Sequence, residues 1–134
     1  MKNAVPLFEV SDPLELMALW RLVSEAKFHE NPEDTDIWGS PYVRELSQRI
    51  SDGILRSHQD SGNESRVRSH KEWVSSLPSN VVLPVVQARL KSDAMQPWWS
   101  AMTAVEKAEY AKSCVVPFEP THEFILSLVS EAER

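Results

Sequence analysis

Nine prolines and only three glycines among 134 residues leave this chain few architectures to choose from. Tight hairpins need positive-φ positions, which glycine fills most readily, so a glycine-poor chain lacks the punctuation of a many-stranded fold. Proline, by contrast, suits the first turn of a helix, where its missing N–H forfeits no hydrogen bond. Two prolines stand in that setting. In Asp12-Pro13-Leu14-Glu15 a capping carboxylate precedes the proline and a glutamate follows three residues after the cap. Ser40-Pro41 repeats the arrangement with a hydroxyl cap. The expectation is an all-α fold, a compact bundle of about five to six helices in one domain over residues 1–134.

Apolar spacing fills in the elements. A first helix is expected from Pro13 to about Lys27, with Leu16, Leu19, Trp20 and Val23 on one stripe and Met17 widening it. A second runs from Pro41 to His58 or Gln59 with Val43, Leu46, Ile50 and Ile54 inward. The run from Gln59 to Ser65 is loop by composition. A polar helix over residues 65–77 turns Val67, Val74 and Leu77 inward, and Pro78 ends it. Pro84 would break a central strand, so Val85 to Ser92 is read as helix, opened by that proline. Trp98-Trp99 lies in an aromatic connection. Thr103 and Glu106 then form a capping box for a helix to about Ser113, and Thr121 caps the last helix, with Phe124, Ile125, Leu128, Val129 and Ala132 on one face. No fixed-period repeat is present. Val115 to Phe118 reads as extended, and the proline-containing apolar segments 4–10, 81–86 and 115–118 leave room for a minor sheet.

Net charge is −6, most of it in residues 1–62. An acidic chain repels phosphate backbones at long range, which makes nucleic acid a poor partner and a basic protein a better one. The lone cysteine, Cys114, has no internal disulfide partner, which fits a reducing compartment. The apolar run before Glu9 is too short for a signal peptide, and no stretch is long enough to span a membrane, so a cytoplasmic protein is expected.

Templates for chemistry fail. With three glycines, neither a phosphate loop nor a dinucleotide fingerprint can be written. Cys114 with His122 as base, or with Glu123, is the only nucleophile arrangement worth naming, and a single cysteine is more often a small buried apolar residue. His29-Glu30 and His122-Glu123 are adjacent pairs, which diverge by about 100° on a helix and do not converge on a metal. His58 and His70 meet only if tertiary packing brings them together. Glu30, Glu33, Asp34 and Asp36 lack the ligand order of a calcium loop. No cofactor or metal is expected. The basic cluster Arg66, Arg68, His70 and Lys71 is expected to pair with acidic helix faces rather than with phosphates.

What remains is a non-catalytic interaction module, of inhibitor, immunity or antitoxin type, that engages a basic protein through an acidic surface. The segment from His29 to Tyr42 connects the first two helices, with Trp38 and Tyr42 expected to lock the corner. The expected partner-binding residues are Glu33, Asp34, Asp36 and Trp38, with Trp98 or Trp99 as a second aromatic anchor. Adjacent tryptophans cannot both point into one core from a regular helix, so at least one is expected to be partly exposed. The alternatives are a small enzyme whose site is assembled from scattered His, Glu and Cys residues, and a nucleic-acid accessory protein acting through residues 66–71.

Overall fold

The computed structural model describes residues 8–29, 36–77 and 82–134. Eight helices lie in these segments: α1 (Pro13–Lys27), α2 (Asp36–Gly39), α3 (Pro41–Asp60), α4 (Glu64–Ser75), α5 (Val82–Ala94), α6 (Pro97–Ser100), α7 (Ala104–Cys114) and α8 (His122–Ala132). No strand occurs among the described residues. The all-α expectation holds, and the helix number exceeds five to six because α2 and α6 are single turns. Four residues are too few to show a 3.6-residue period, so such turns leave no pattern to read.

The caps are where the sequence puts them. Asp12 Oδ1 accepts from the amides of Leu14 at 2.8 Å and Glu15 at 3.4 Å. Ser40 Oγ accepts from Val43 N at 3.3 Å, with Pro41 beginning α3. Thr103 and Glu106 close a reciprocal box: Glu106 N donates to Thr103 Oγ1 at 3.2 Å and Thr103 N donates to Glu106 Oε1 at 2.9 Å. Thr121 caps α8 through Phe124 N. Each cap satisfies amides that the first helical turn leaves without a backbone acceptor. Pro84 falls in the first turn of α5, which starts at Val82, earlier than the proline alone suggested.

α1 packs along α3, α3 against α4, α5 against α8, and α7 against α8, while the single turn α2 touches α1 and α3. Two apolar clusters result. The smaller holds Leu16, Trp20, Ile50 and Ile54 from α1 and α3. The larger gathers Val86, Leu90, Ala111, Cys114, Ile125 and Leu128 with Phe28, Trp38, Trp99, Val115 and Phe118. Trp73 on α4 packs against both, its ring 4.8 Å from Trp20 on one side and 4.8 Å from Phe118 on the other. A backbone bond from Glu119 N to Val74 O, 2.8 Å, reinforces the same junction.

Three details depart from expectation. Leu46 is exposed, and α3 buries Ser47 and Ser51 beside Ile50 and Ile54. The rotation is tolerable because Ser47 Oγ donates to Val43 O at 2.9 Å and Ser51 Oγ sits 3.0 Å from His70 Nε2, so both buried hydroxyls are bonded. Tyr42 is exposed and does not lock the α2–α3 corner. Val115 to Pro117 forms a turn rather than an extended segment, because the helical hydrogen bonding runs on past Cys114 before the chain reverses.

Candidate functional site

Of the expected partner-binding residues, Glu33 and Asp34 lie outside the described residues, and Asp36 is the first residue of α2. Trp38 is 5% exposed. Its Nε1 donates to Asp93 Oδ2 at 3.3 Å, its ring meets Phe28 edge-on at 6.2 Å, and the Arg89 guanidinium lies 5.7 Å from it. Trp38 therefore fixes the α2 turn onto the larger cluster, and its indole is not open to a partner. An aromatic beside an acidic stretch reads as a docking anchor in one dimension. The partner it finds, Asp93, lies 55 residues away.

The tryptophan pair divides as the geometry of adjacent residues requires. Trp99 is 2% exposed, and its Nε1 donates to Glu133 Oε2 at 3.0 Å. Lys107 Nζ reaches the same oxygen at 2.6 Å and stands 5.6 Å from the Trp99 ring. These two donors, Lys107 first and Trp99 second, hold the Glu133 carboxyl below the usual carboxylate range. Trp98 is 45% exposed and rests edge-on against Tyr110 at 5.5 Å. Around it the chain carries no charge from Ala94 to Val105. Met95 is 81% exposed, Val105 is 72% exposed, and Pro97, Ala101 and Ala104 are exposed as well. The α5–α6–α7 corner thus presents an exposed indole among exposed apolar side chains, and Lys91, Lys107, Glu133 and Arg134 border it beside Met95 and Ser100.

Tyr110, on which Trp98 rests, belongs to a partly buried polar network. Tyr110 OH donates to Asp93 Oδ2 at 2.7 Å, so one carboxylate oxygen serves both Tyr110 and Trp38. Arg44 Nη2 lies 3.4 Å from Cys114 Sγ, its guanidinium stands 5.4 Å from the Tyr110 ring, and its Nε is buried without a partner among the described residues. Lys27 is 1% exposed, and its ammonium donates to the carbonyl of Val116. Burial lowers its pKa to about 7; the neighbouring Cys114 opposes that shift and Arg44 adds to it. Burial likewise pushes the Cys114 thiol up, against the pull of Arg44, and pushes the Tyr110 phenol up. Cys114 is fully buried while His122 is exposed at the start of α8, so the dyad considered from sequence has one member in the core and the other on the surface. A thiol held in its protonated form is a poor nucleophile. No cluster of three or more potential metal ligands occurs among the described residues.

A cleft of about 430 Å³ opens between α1, α3 and α4. Met17, Trp20, Ile54 and Trp73 form its apolar surface, and Arg21, His58, Arg66 and His70 supply its polar groups together with Ser69. Among the described residues no carboxylate lines it. Trp20, Trp73 and His70 make a continuous aromatic wall, with ring separations of 4.8 Å for the indole pair and 6.3 Å and 6.1 Å to the imidazole. Packing thus brings His58 and His70 to one site, which no sequence spacing indicated. Burial, and next the neighbouring His58, hold the His70 pKa below its ordinary value, with Asp52 and Ser51 opposing.

The basic cluster also behaves differently from expectation. Among the described residues the one ion pair joins Lys107 to Glu133, so Arg66, Arg68 and Lys71 are not neutralised by acidic helix faces there. Instead α4 divides them. Arg66 and His70 face the cleft with the two indoles, and Arg68 and Lys71 border a second concavity with His58, Gly62 and Asn63. The signal available in the sequence was the spacing of Arg66, His70 and Trp73 at i, i+4 and i+7, which places them on one helical face.

Among the described residues, no helix is long and apolar enough to cross a membrane. No family model matches the chain, and no curated protein or solved structure matches it either.

Proposed function

We propose that the chain is a non-catalytic protein-interaction module, acting in the cytoplasm, that docks a more basic protein through the Met95–Val105 corner with Trp98 as its central anchor. The observation that carries this reading is the half-exposed indole of Trp98, flanked by exposed Met95, Pro97, Ala101 and Val105 in a stretch of chain that carries no charge from Ala94 to Val105. Large aromatic residues surrounded by apolar neighbours supply most of the binding energy at protein interfaces. Trp98 is also pre-positioned by Tyr110, whose hydroxyl is held by Asp93, so little side-chain freedom is lost on docking. The net charge of −6 and the acidic residues Glu33, Asp34 and Asp36 favour a basic partner and speed its encounter. An inhibitor, immunity or antitoxin role suits such a surface.

Affinity purification of the tagged chain beside a Met95→Glu/Val105→Glu variant tests the reading. Both positions are exposed, so the variant keeps its fold. A basic protein recovered with the wild type, released by added salt and lost from the variant, is the expected result. Trp98→Ala should weaken the same complex by about 2 kcal/mol or more. An identical set of recovered proteins from both baits refutes the docking corner.

A further inference from the structure

The cleft between α1, α3 and α4 lies outside the Trp98 corner, shares no residue with it, and has a different chemistry. We propose that it is a binding site for a small aromatic acid, a planar ring carrying a single carboxylate or phosphate head.

Three features converge on that class. The volume, about 430 Å³, falls within the range of small-molecule sites. The walls are aromatic: Trp20 and Trp73 meet edge-to-face at 4.8 Å, and His70 continues the surface. Such walls receive a planar ring by stacking and edge contacts. Apart from the Ser69 hydroxyl, the polar groups are guanidiniums and imidazoles. Arg21 projects from α1, His58 from α3, and Arg66 and His70 from α4, so three elements deliver donors or positive charge to one opening. In a chain of net charge −6 this is a local reversal of sign. A guanidinium presents two parallel N–H donors that match a carboxylate or phosphate edge, and two of them at one rim select an anionic head. Ser51 Oγ engages His70 Nε2 at 3.0 Å, which orients the imidazole.

Nucleic acid is the competing occupant for basic residues on α4. Its backbone would call on Arg68 and Lys71, which face the second concavity, as much as on Arg66. The aromatic wall accompanies only the Arg66 side of the helix. The observations therefore favour a discrete small molecule over a strand.

The test is calorimetric titration of the full chain with 2-naphthoate, 2-naphthyl phosphate and neutral 2-naphthamide, with two-dimensional NMR following the indole N–H signals of Trp20 and Trp73. At least one acid should bind about tenfold or more tightly than the amide and shift both indole signals, since a charge-assisted pair exceeds a neutral contact by that margin. Whichever acid binds more tightly identifies the head group. Arg21→Gln/Arg66→Gln, at two exposed positions, should lose about tenfold in affinity for the acid. Arg68→Gln/Lys71→Gln should stay within about twofold of the wild type, because neither residue lines the cleft. The proposal is overturned by equal affinity for the amide, by absence of heat and shift with both acids, or by equal losses in the two variants. That last result, with tight binding of oligothymidylate, would assign α4 to nucleic acid. The Trp98 corner contains none of these residues, so either outcome leaves its own test unaffected.

Discussion

Replacing Lys27 with methionine should stabilise this protein at neutral pH and remove a pH dependence that the wild type carries. The side chain is 1% exposed, and burial brings its pKa from 10.5 to about 7. At about 1.36 kcal/mol per pH unit, the fold holds a protonated Lys27 at a disadvantage on the order of 5 kcal/mol. Methionine matches the length of the stem without the charge, but it leaves the Val116 carbonyl without its donor, a loss of about 1–3 kcal/mol. The net gain at pH 7 is roughly 2–4 kcal/mol. Between pH 7 and 10.5 the unfolded chain keeps a proton on Lys27 that the folded chain has released, so wild-type stability rises with pH there and is lost as pH falls through 7. Cys114 and Tyr110 act in the opposite sense above their ordinary values of 9.0 and 10.0, because the folded state retains their protons. The window in which Lys27 acts alone is therefore about pH 7 to 8.5, where linkage gives a rise on the order of 1–2 kcal/mol. Urea unfolding followed by circular dichroism at both pH values, with m compared between proteins, measures it. A wild type whose stability is flat over that window, or a Lys27→Met protein with the same rise, refutes the reasoning.

Two further substitutions probe the fold. Asp93→Ala removes the one carboxylate oxygen shared by Trp38 Nε1 and Tyr110 OH, leaving two donors without an acceptor, and should lower stability by about 2–4 kcal/mol in thermal unfolding. Gly62, at φ +72°, is the positive-φ residue between α3 and α4, with nothing within 4 Å of where a Cβ would stand. Gly62→Ala should therefore cost about 1 kcal/mol through backbone conformation alone, read as a lower denaturation midpoint with unchanged m.

The helices were legible wherever a cap and a period agreed. Pro13 to Lys27, Pro41 onward, Thr103 with Glu106, and Thr121 all carried both signals, and each element begins where those residues place it. The α4 start at Glu64 is capped by Asn63, whose Oδ1 accepts from Arg66 N at 3.2 Å, but Asn63 sits in a run of turn-formers that hid its role. Burial was read less well. Leu46 looked inward because hydrophobicity was the only criterion, whereas Ser47 and Ser51 take that face once their hydroxyls find partners. Trp38, expected at a partner surface, is buried for a related reason, and of the pair offered as a second anchor Trp99 is the buried member and Trp98 the exposed one. The indole N–H groups of Trp38 and Trp99 are bonded to carboxylates far along the chain, Asp93 and Glu133, and no local pattern encodes such a pairing. Of the cleft, only the shared face of Arg66, His70 and Trp73 is encoded locally; its groups come from positions 17 to 73, and the packing of α1, α3 and α4 assembles them.

Trp73 meets three demands at once. It walls the cleft, stacks edge-on against Trp20, and packs on Phe118 at the approach to α8. A residue under one such demand can drift to another large apolar type when a neighbour compensates. Under three, a change that suits Trp20 must also suit Phe118 and any occupant of the cleft, and few substitutions satisfy all of them. Position 73, only half-buried, should therefore tolerate less sequence variation than many fully buried positions such as Leu90 or Ile125. In a mutational scan its depletion profile should follow those of Trp20 and Phe118 together.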